Sequence, residues 1–164
     1  MSSISLNPVS AASVQPTNVG VDPAQSIIVK LQEAAKDLEA QEAILNNPNA
    51  TPNEKLAAAK AAAADLSTIN INEGIIETNL ASPTPNANFV AFAGTQAYIQ
   101  LFGQDGTGGL FNQAFTLDDG QTVSLADVLA TPGYNFDNVS ELLSDIGPSL
   151  NNDLDAIIAY NPNA

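Results

Sequence analysis

The sequence predicts a mainly α-helical protein, in which an N-terminal antiparallel helical hairpin is followed by several shorter helices and one small β-hairpin. Three observations predict this fold class. Two long segments, at residues 23–45 and 51–80, open with good helix caps and keep apolar residues at helical spacing. A proline-rich stretch at residues 82–88 ends the long helices, and an Asp-Gly turn at residues 119–120 marks the β-hairpin.

The first predicted helix runs from Pro23 to about Leu45. Asp22 supplies an N-cap carboxylate, and Pro23 suits the first helical position because its missing N–H costs nothing there. Apolar residues such as Leu31 and Leu38 recur at steps of three, four and seven, which is typical of an amphipathic helix. The charged residues are predicted to occupy its solvent side; they are Lys30, Glu33, Lys36, Asp37, Glu39 and Glu42.

The second predicted helix is the Ala-rich stretch from Thr51 to Leu80. Thr51 and Glu54 have the spacing of a capping box, and the small alanines favour close approach of the first helix, near the low end of ~8–10 Å between axes. We interpret its apolar stripe as core, with an exposed oligomerisation seam as the alternative. The stripe comprises Leu56, Ala59, Ala63, Leu66, Ile69, Ile76 and Leu80. Low helix propensity predicts a kink or break between Asn70 and Gly74.

We predict one domain at residues 22–164, preceded by a flexible, uncharged N-terminal arm at residues 1–21. The domain consists of the helical hairpin at 22–81, the Pro-rich connector at 82–88 and an aromatic-rich part at 89–164. We interpret the arm as an ordinary mobile terminus. The alternatives are an uncleaved, Ser-rich export signal and a strand that adds to a neighbouring subunit.

The aromatic-rich part holds the candidate contact residues for a ligand or partner, because six of the nine aromatic residues fall within it before residue 116. They are Phe89, Phe92, Tyr98, Phe102, Phe111 and Phe115. Residues 89–103 are predicted to form one helix that is apolar nearly all round, and therefore buried in its own core or in a partner. A strand is the open alternative for this short apolar run.

The remainder of the chain is predicted to hold the β-hairpin and three short helices. Residues 111–117 and 121–125 are the two strands. Ser124 and Asp127 resemble the cap of a helix that ends at Ala130. Two further helices are predicted on either side of Gly147-Pro148, with Asp153 and Asp155 near the start of the last one.

The residue inventory excludes most catalytic chemistry. The chain contains no His, Cys or Arg, so Ser-His-Asp and Cys-His nucleophiles, His-bearing zinc sites and Arg clamps on phosphate cannot form within it. Paired carboxylates could in principle hydrolyse glycosides, but no pair is singled out by its context. We therefore predict no enzyme activity, no cofactor and no metal site. A Ca²⁺ site at Asp105 or at residues 118–120 is a weaker alternative.

The charge of the chain disfavours two classes of partner. Eighteen acids against four lysines give a net charge of −14, and residues 61–164 hold twelve acids and no base. Binding to nucleic acid or to an anionic membrane surface requires clustered cations and is not expected. No Sec-type signal peptide and no apolar run of ~18–20 residues is present, so we predict a soluble protein that is cytoplasmic or secreted by a leaderless route.

Two functions remain after these exclusions. The first is a non-catalytic structural or interaction subunit that self-assembles or docks on a protein partner, with export that uses no cleaved leader. The alternative is a small binding module that holds an apolar ligand in an aromatic-lined pocket between helices. The first predicts assembly that depends on concentration, and the second predicts a monomer that gains stability with ligand.

Overall fold

The computed structural model describes residues 22–130 and 136–162, and in them the predicted mainly α-helical fold is confirmed. Two long helices, α1 (Pro23–Leu45) and α2 (Pro52–Leu80), form the predicted antiparallel hairpin. A third long helix, α7 (Phe136–Ala159), packs against both of them. The predicted arm at residues 1–21 lies outside the described residues.

The start of α1 is capped by Asp22, as predicted, and this carboxylate also holds a second helix. Asp22 Oδ1 accepts a hydrogen bond from Ala24 N at 2.8 Å. The side-chain amides of Asn86 and Asn88 donate to Asp22 Oδ1 and Oδ2, each at 2.8 Å. These donors, Ala24 N foremost, lower the pKa of Asp22 below its ordinary value because they stabilise the charged form. The beginning of α1 is thereby joined to the beginning of α3 (Ala87–Ala93).

The start of α2 carries the predicted capping box. Glu54 N donates to Thr51 Oγ1 at 3.1 Å, and Thr51 N donates to Glu54 Oε1 at 2.8 Å. Both bonds satisfy N–H groups that have no partner inside the helix.

Of the predicted kink or break between Asn70 and Gly74, the break is wrong, because α2 is one continuous helix through this stretch. Ile69 and Ile76 are completely buried on either side of it, and Asn72 Nδ2 donates to Thr68 O at 2.8 Å. Tertiary packing of the inner face therefore overrides the low intrinsic propensity of these residues.

The aromatic stretch at residues 89–103 is helical, but the prediction of one unbroken helix is wrong. It contains most of α3 and all of α4 (Gln96–Phe102), separated by Gly94 and Thr95. Thr95 Oγ1 accepts a hydrogen bond from Tyr98 N at 3.3 Å and so caps α4. The hydroxyl of Thr95 also donates to Phe92 O at 2.8 Å, which satisfies a carbonyl at the end of α3.

The predicted β-hairpin exists but is shorter than expected. The short helix α5 (Gly109–Asn112) occupies the beginning of the predicted first strand. Strand β1 (Phe115–Thr116) pairs antiparallel with β2 (Thr122–Val123), with Phe115 opposite Val123. Gly120 closes the turn at φ +87°, a conformation that only glycine adopts without strain.

The helix after the hairpin, α6 (Leu125–Ala130), starts at the predicted cap. Asp127 N donates to Ser124 Oγ at 3.1 Å, and Ser124 N donates to Asp127 Oδ2 at 2.9 Å. This is a second reciprocal pair of the kind found at the start of α2.

The predicted stop at Gly147-Pro148 is wrong, because α7 continues through both residues. Pro148 lies on the exposed side of α7, so the backbone hydrogen bond that it cannot donate is missing away from the core. The buried face of the helix is uninterrupted on both sides of the proline, and this packing outweighs the lost bond. Its members are Val139, Leu142, Leu143, Ile146, Leu150, Leu154 and Ile157. Asp153 and Asp155 consequently lie in the last third of α7, not at a helix start.

The regularity of α2 at Gly74 gives a first prediction. A Cβ at this position would meet no atom within 4 Å. Gly74→Ala should therefore raise the free energy of unfolding by about 0.5–1 kcal/mol, because alanine lowers the conformational entropy of the unfolded chain. Urea unfolding followed by circular dichroism measures this change.

The matched control is Gly109→Ala, which should lower the same free energy. Gly109 has φ +70°, and a Cβ there would lie 2.4 Å from backbone atoms of Leu101. A lower unfolding midpoint for Gly74→Ala would contradict a regular helix at residue 74.

Candidate functional site: buried aromatic rings, interhelical acids and the neutral face of α2

The six predicted contact residues come from α3, α4, α5 and β1, and five of them lie in the protein interior. Phe92, Tyr98, Phe102 and Phe111 are at most 2% exposed, Phe89 is buried, and Phe115 is half-buried. The structure thus brings these residues into one core. The apolar character of the stretch is accounted for by that core.

The rings form a continuous series of edge-to-face and tilted contacts. The ring centroids of Phe92 and Tyr98 are 5.5 Å apart, those of Tyr98 and Phe102 are 4.8 Å apart, and those of Phe102 and Phe111 are 5.0 Å apart. Tyr160, just after α7, continues the series at 5.0 Å from Phe92. Such geometries add stability beyond the burial of area. A ligand or partner could reach these rings only if helices α3, α4 and α5 moved away from the core. Contact of these residues with a ligand or partner therefore stays a prediction.

The polar end of the aromatic series is the Tyr98 hydroxyl, which meets two acids of α2. It donates to Glu77 Oε2 at 2.7 Å, and Glu73 lies beside it. Glu73 Oε2 is buried without a hydrogen-bond partner. Burial, and then the charge of Glu77, raises the pKa of Glu73 to about 7, and the nearby Tyr98 hydroxyl offsets part of this rise. Burial and the same acids raise the pKa of Tyr98 far above its ordinary range.

Gly106 covers this acidic pair from the loop between α4 and α5. A Cβ at Gly106 would lie 2.6 Å from Glu77 Cγ and 2.7 Å from Glu73 Oε2, and the residue has φ +79°. Only glycine therefore allows the loop to close over the two side chains.

The predicted solvent position of Glu42 on α1 is wrong. Glu42 is 2% exposed, and neither of its carboxyl oxygens has a hydrogen-bond partner. The reason lies on α7, where Gly147 allows the helix to approach: a Cβ at Gly147 would lie 3.3 Å from Glu42 Oε1. Asp153 of α7 is likewise buried, and burial raises its pKa.

The outward side of α2 carries a long surface without charge, which we call the neutral face. Ile71 is 60% exposed and Ile75 is 43% exposed, and all members of the face are at least partly accessible. The members are Ala61, Ala64, Ser67, Thr68, Ile71, Ile75 and Thr78. The hydroxyls of Thr68 and Thr78 donate to carbonyls of their own helix, at 3.2 and 2.9 Å. With those hydroxyls already bonded, the face is mostly apolar.

The face is neutral because every acid in this part of α2 points toward another helix. Between residues 61 and 80 the only charged side chains are Asp65, Glu73 and Glu77. Asp65 contacts Asp37 of α1, Glu73 is buried, and Glu77 is bound by Tyr98. Sequence reasoning missed this feature. The signal was present, since the three acids follow one another by eight and four residues and so share the inner side with Leu66 and Ile69.

Two shallow cavities lie near the tip of the α1–α2 hairpin. One of about 450 Å³ is lined by Gln41, Ile44, Asn47, Ala50, Glu54, Ala57, Ala58 and Ala61. Another of about 300 Å³ lies between the start of α2 and the start of α7, and its lining includes Lys55 and Phe136. The Lys60 ammonium is 5.9 Å from the centroid of the Phe136 ring. Neither cavity is lined by the six predicted contact residues.

The residues considered for Ca²⁺ serve local turns. Asp105 Oδ1 accepts hydrogen bonds from the backbone and hydroxyl of Thr107, at 3.1 and 2.6 Å. Asp119 Oδ1 accepts from Gln121 N at 2.9 Å. Within residues 22–130 and 136–162, no three carboxylates converge in a way that could hold a metal ion.

None of the helices described in residues 22–130 and 136–162 combines the length and the apolar character needed to cross a membrane. Comparisons with protein-family models, with curated proteins and with solved structures find no match. Functional inference therefore depends on the residues of this chain.

The contact of Tyr98 with Glu77 gives a second prediction. Tyr98→Phe keeps the buried ring but removes the hydrogen bond to a carboxylate, so the free energy of unfolding at pH 8 should fall by about 1.5–3 kcal/mol. Chemical denaturation of the two proteins measures the difference.

Tyr160→Phe is the matched control, because the Tyr160 ring packs on Phe92 away from the acidic pair. It should change the free energy of unfolding less than Tyr98→Phe does. Equal losses for the two variants would show that the bond to Glu77 contributes nothing particular.

Proposed function

We propose that the protein is a non-catalytic structural or interaction subunit that self-assembles, with the neutral face of α2 meeting the same face of a second copy. The observation that carries this proposal is an exposed, charge-free helix surface with two accessible isoleucines on a chain of net charge −14. Exposed apolar surface of this kind is typical of protein–protein contacts.

The charge of the chain supports a second copy as the occupant. Two copies, each with 18 acids and four lysines, repel one another over most approaches. Contact between them is least costly where neither brings a charge, and α2 offers such a surface for about 26 Å along its axis. A surface that meets the same surface of a second copy also satisfies two-fold symmetry.

The side chains of the neutral face favour close but weak packing. Ala61, Ala64 and Ser67 are small, so two helices could approach near the low end of ~8–10 Å between axes. One helix face buries less than the ~800 Å² per partner of a standard interface. Association is therefore expected to be reversible and dependent on concentration.

The alternative function, a module that binds an apolar ligand among the aromatic rings, has less support. The rings contact one another at 4.8–5.5 Å between centroids, and five of the six predicted residues are buried. A ligand would have to displace these contacts. The non-catalytic part of the proposal is supported by the residue inventory, since the chain has no His, Cys or Arg.

The proposal gives a third prediction. Ile71→Glu places a charge in the middle of the neutral face without disturbing the core, because Ile71 is 60% exposed. Sedimentation velocity over a wide concentration range should show the native chain forming dimers, and the variant should remain monomeric at the same concentrations.

Val90→Glu is the matched control, because Val90 on α3 is 49% exposed and lies off the neutral face. It adds the same charge and should associate nearly as the native chain does. A native chain that is monomeric throughout would contradict self-assembly. Equal loss of association in both variants would contradict the assignment of the interface to α2.

A further inference from the structure

The acids between α1 and its two neighbours have no cation opposite them. Helix α1 packs against both α2 and α7. The carboxyl of Asp65 on α2 lies beside that of Asp37 on α1, and the carboxyl of Glu39 on α1 lies beside that of Asp155 on α7. Two neighbouring carboxyl groups repel when both are ionised, so a proton on one of them favours the contact between the helices.

Glu42 is the most deeply placed of these acids. Glu42 is only 2% exposed, and neither oxygen of its carboxyl group has a hydrogen-bond partner. Gly147 on α7 brings backbone against one oxygen, as the 3.3 Å distance from its would-be Cβ shows. An ionised carboxylate in this position would lose its hydration and gain no compensating bond.

The charged groups beside these carboxyls are themselves acids. Glu42 feels the charge of Glu39 on its own helix, Glu39 meets Asp155 of α7, and Asp65 of α2 meets Asp37. The four lysines are at residues 30, 36, 55 and 60, and none contributes to the electrostatics of Glu39, Glu42 or Asp65. Ionisation of one carboxyl therefore opposes ionisation of the next.

We propose that the contact of α1 with α2 and α7 is a proton-sensitive device, tight while Glu42, Glu39 and Asp65 are neutral and loosened when these groups ionise. It is independent of the proposed self-assembly, since it concerns the inner sides of the helices. The device makes the fold respond to a change from mildly acidic to mildly alkaline conditions.

The direction of the pH response follows from proton binding. Burial, and then the charge of Glu39, raises the pKa of Glu42 to about 8. Burial together with the partner acid raises the pKa values of Glu39 and Asp65 to about 7. Because the unfolded chain has ordinary values near ~4, the folded state binds more protons between about pH 4 and 8. The stabilisation is complete below pH ~4, declines progressively as the pH rises above that value, and is fully lost once the pH has passed through the range of about 7 to 8.

The test compares thermal midpoints of the native chain, Glu42→Gln and Glu33→Gln from pH 5 to pH 8.5. Gln is neutral at every pH, so Glu42→Gln should raise the midpoint at pH 8.5 by roughly 3–5 °C and flatten its pH dependence. Glu33 lies exposed on α1, and its substitution removes the same charge from the surface. Glu33→Gln should follow the native curve, which falls by about 5 °C or more across the range. Coincident curves for the two variants would overturn the proposal.

Two further measurements keep the proposal testable if Glu42→Gln folds poorly. Asp65→Asn removes the ionisable group from the α1–α2 pair and should likewise flatten the pH dependence. Titration of the Glu42 side-chain carboxyl carbon by NMR in the native chain should give a midpoint above pH 6. A midpoint in the ordinary range of about 4 to 4.5 would overturn the proposal.

Discussion

The position of α1 between α2 and α7 constrains most of the remaining structure. Alanines at positions 34, 35, 58 and 62 are buried, so the hairpin packs through small side chains. Gly147 has the same effect where α7 covers α1. Helices that approach through small residues leave narrow seams, and two acids of α1, Glu39 and Glu42, lie in the seam with α7. With only four lysines in the chain, the acids in those seams meet other acids.

Local chemistry made much of the fold predictable. The reciprocal bonds at the starts of α2 and α6, and the Asp22 cap of α1, follow from side chains within three residues of the helix start. The alternation of apolar and polar residues around the Asp-Gly turn identified the region of the two β-strands. Errors arose where packing at a distance decides the conformation. Gly74 and Pro148 are unfavourable in isolated helices, yet the buried faces of α2 and α7 pass them without a break. The shortened β-hairpin has a similar origin, since Phe111 is buried in the core from a helical turn.

The candidate site was less predictable than the fold because it depends on which side of a helix faces a neighbour. Glu42 has the sequence context of a solvent-facing acid, and only the glycine at the facing position of α7, 105 residues later, explains its burial. The neutral face of α2 has a related origin, because Asp65, Glu73 and Glu77 of α2 also lie on the side that faces other helices. Because these acids lie on the inner side of α2, the neutral face on its outer side carries only Ala, Ser, Thr and Ile. The same placement therefore explains both the costly burial of carboxyl groups and the uncharged outer surface.

The carboxylate of Asp22 has a mechanical consequence. It caps α1 and at the same time binds the side chains of Asn86 and Asn88 at the start of α3, across more than 60 residues of sequence. Any tension applied through residues 1–21 would enter the fold at this point. The load would be divided between two helices from the outset, so α1 could not be separated from α3 until the bonds from Asn86 and Asn88 had been broken together.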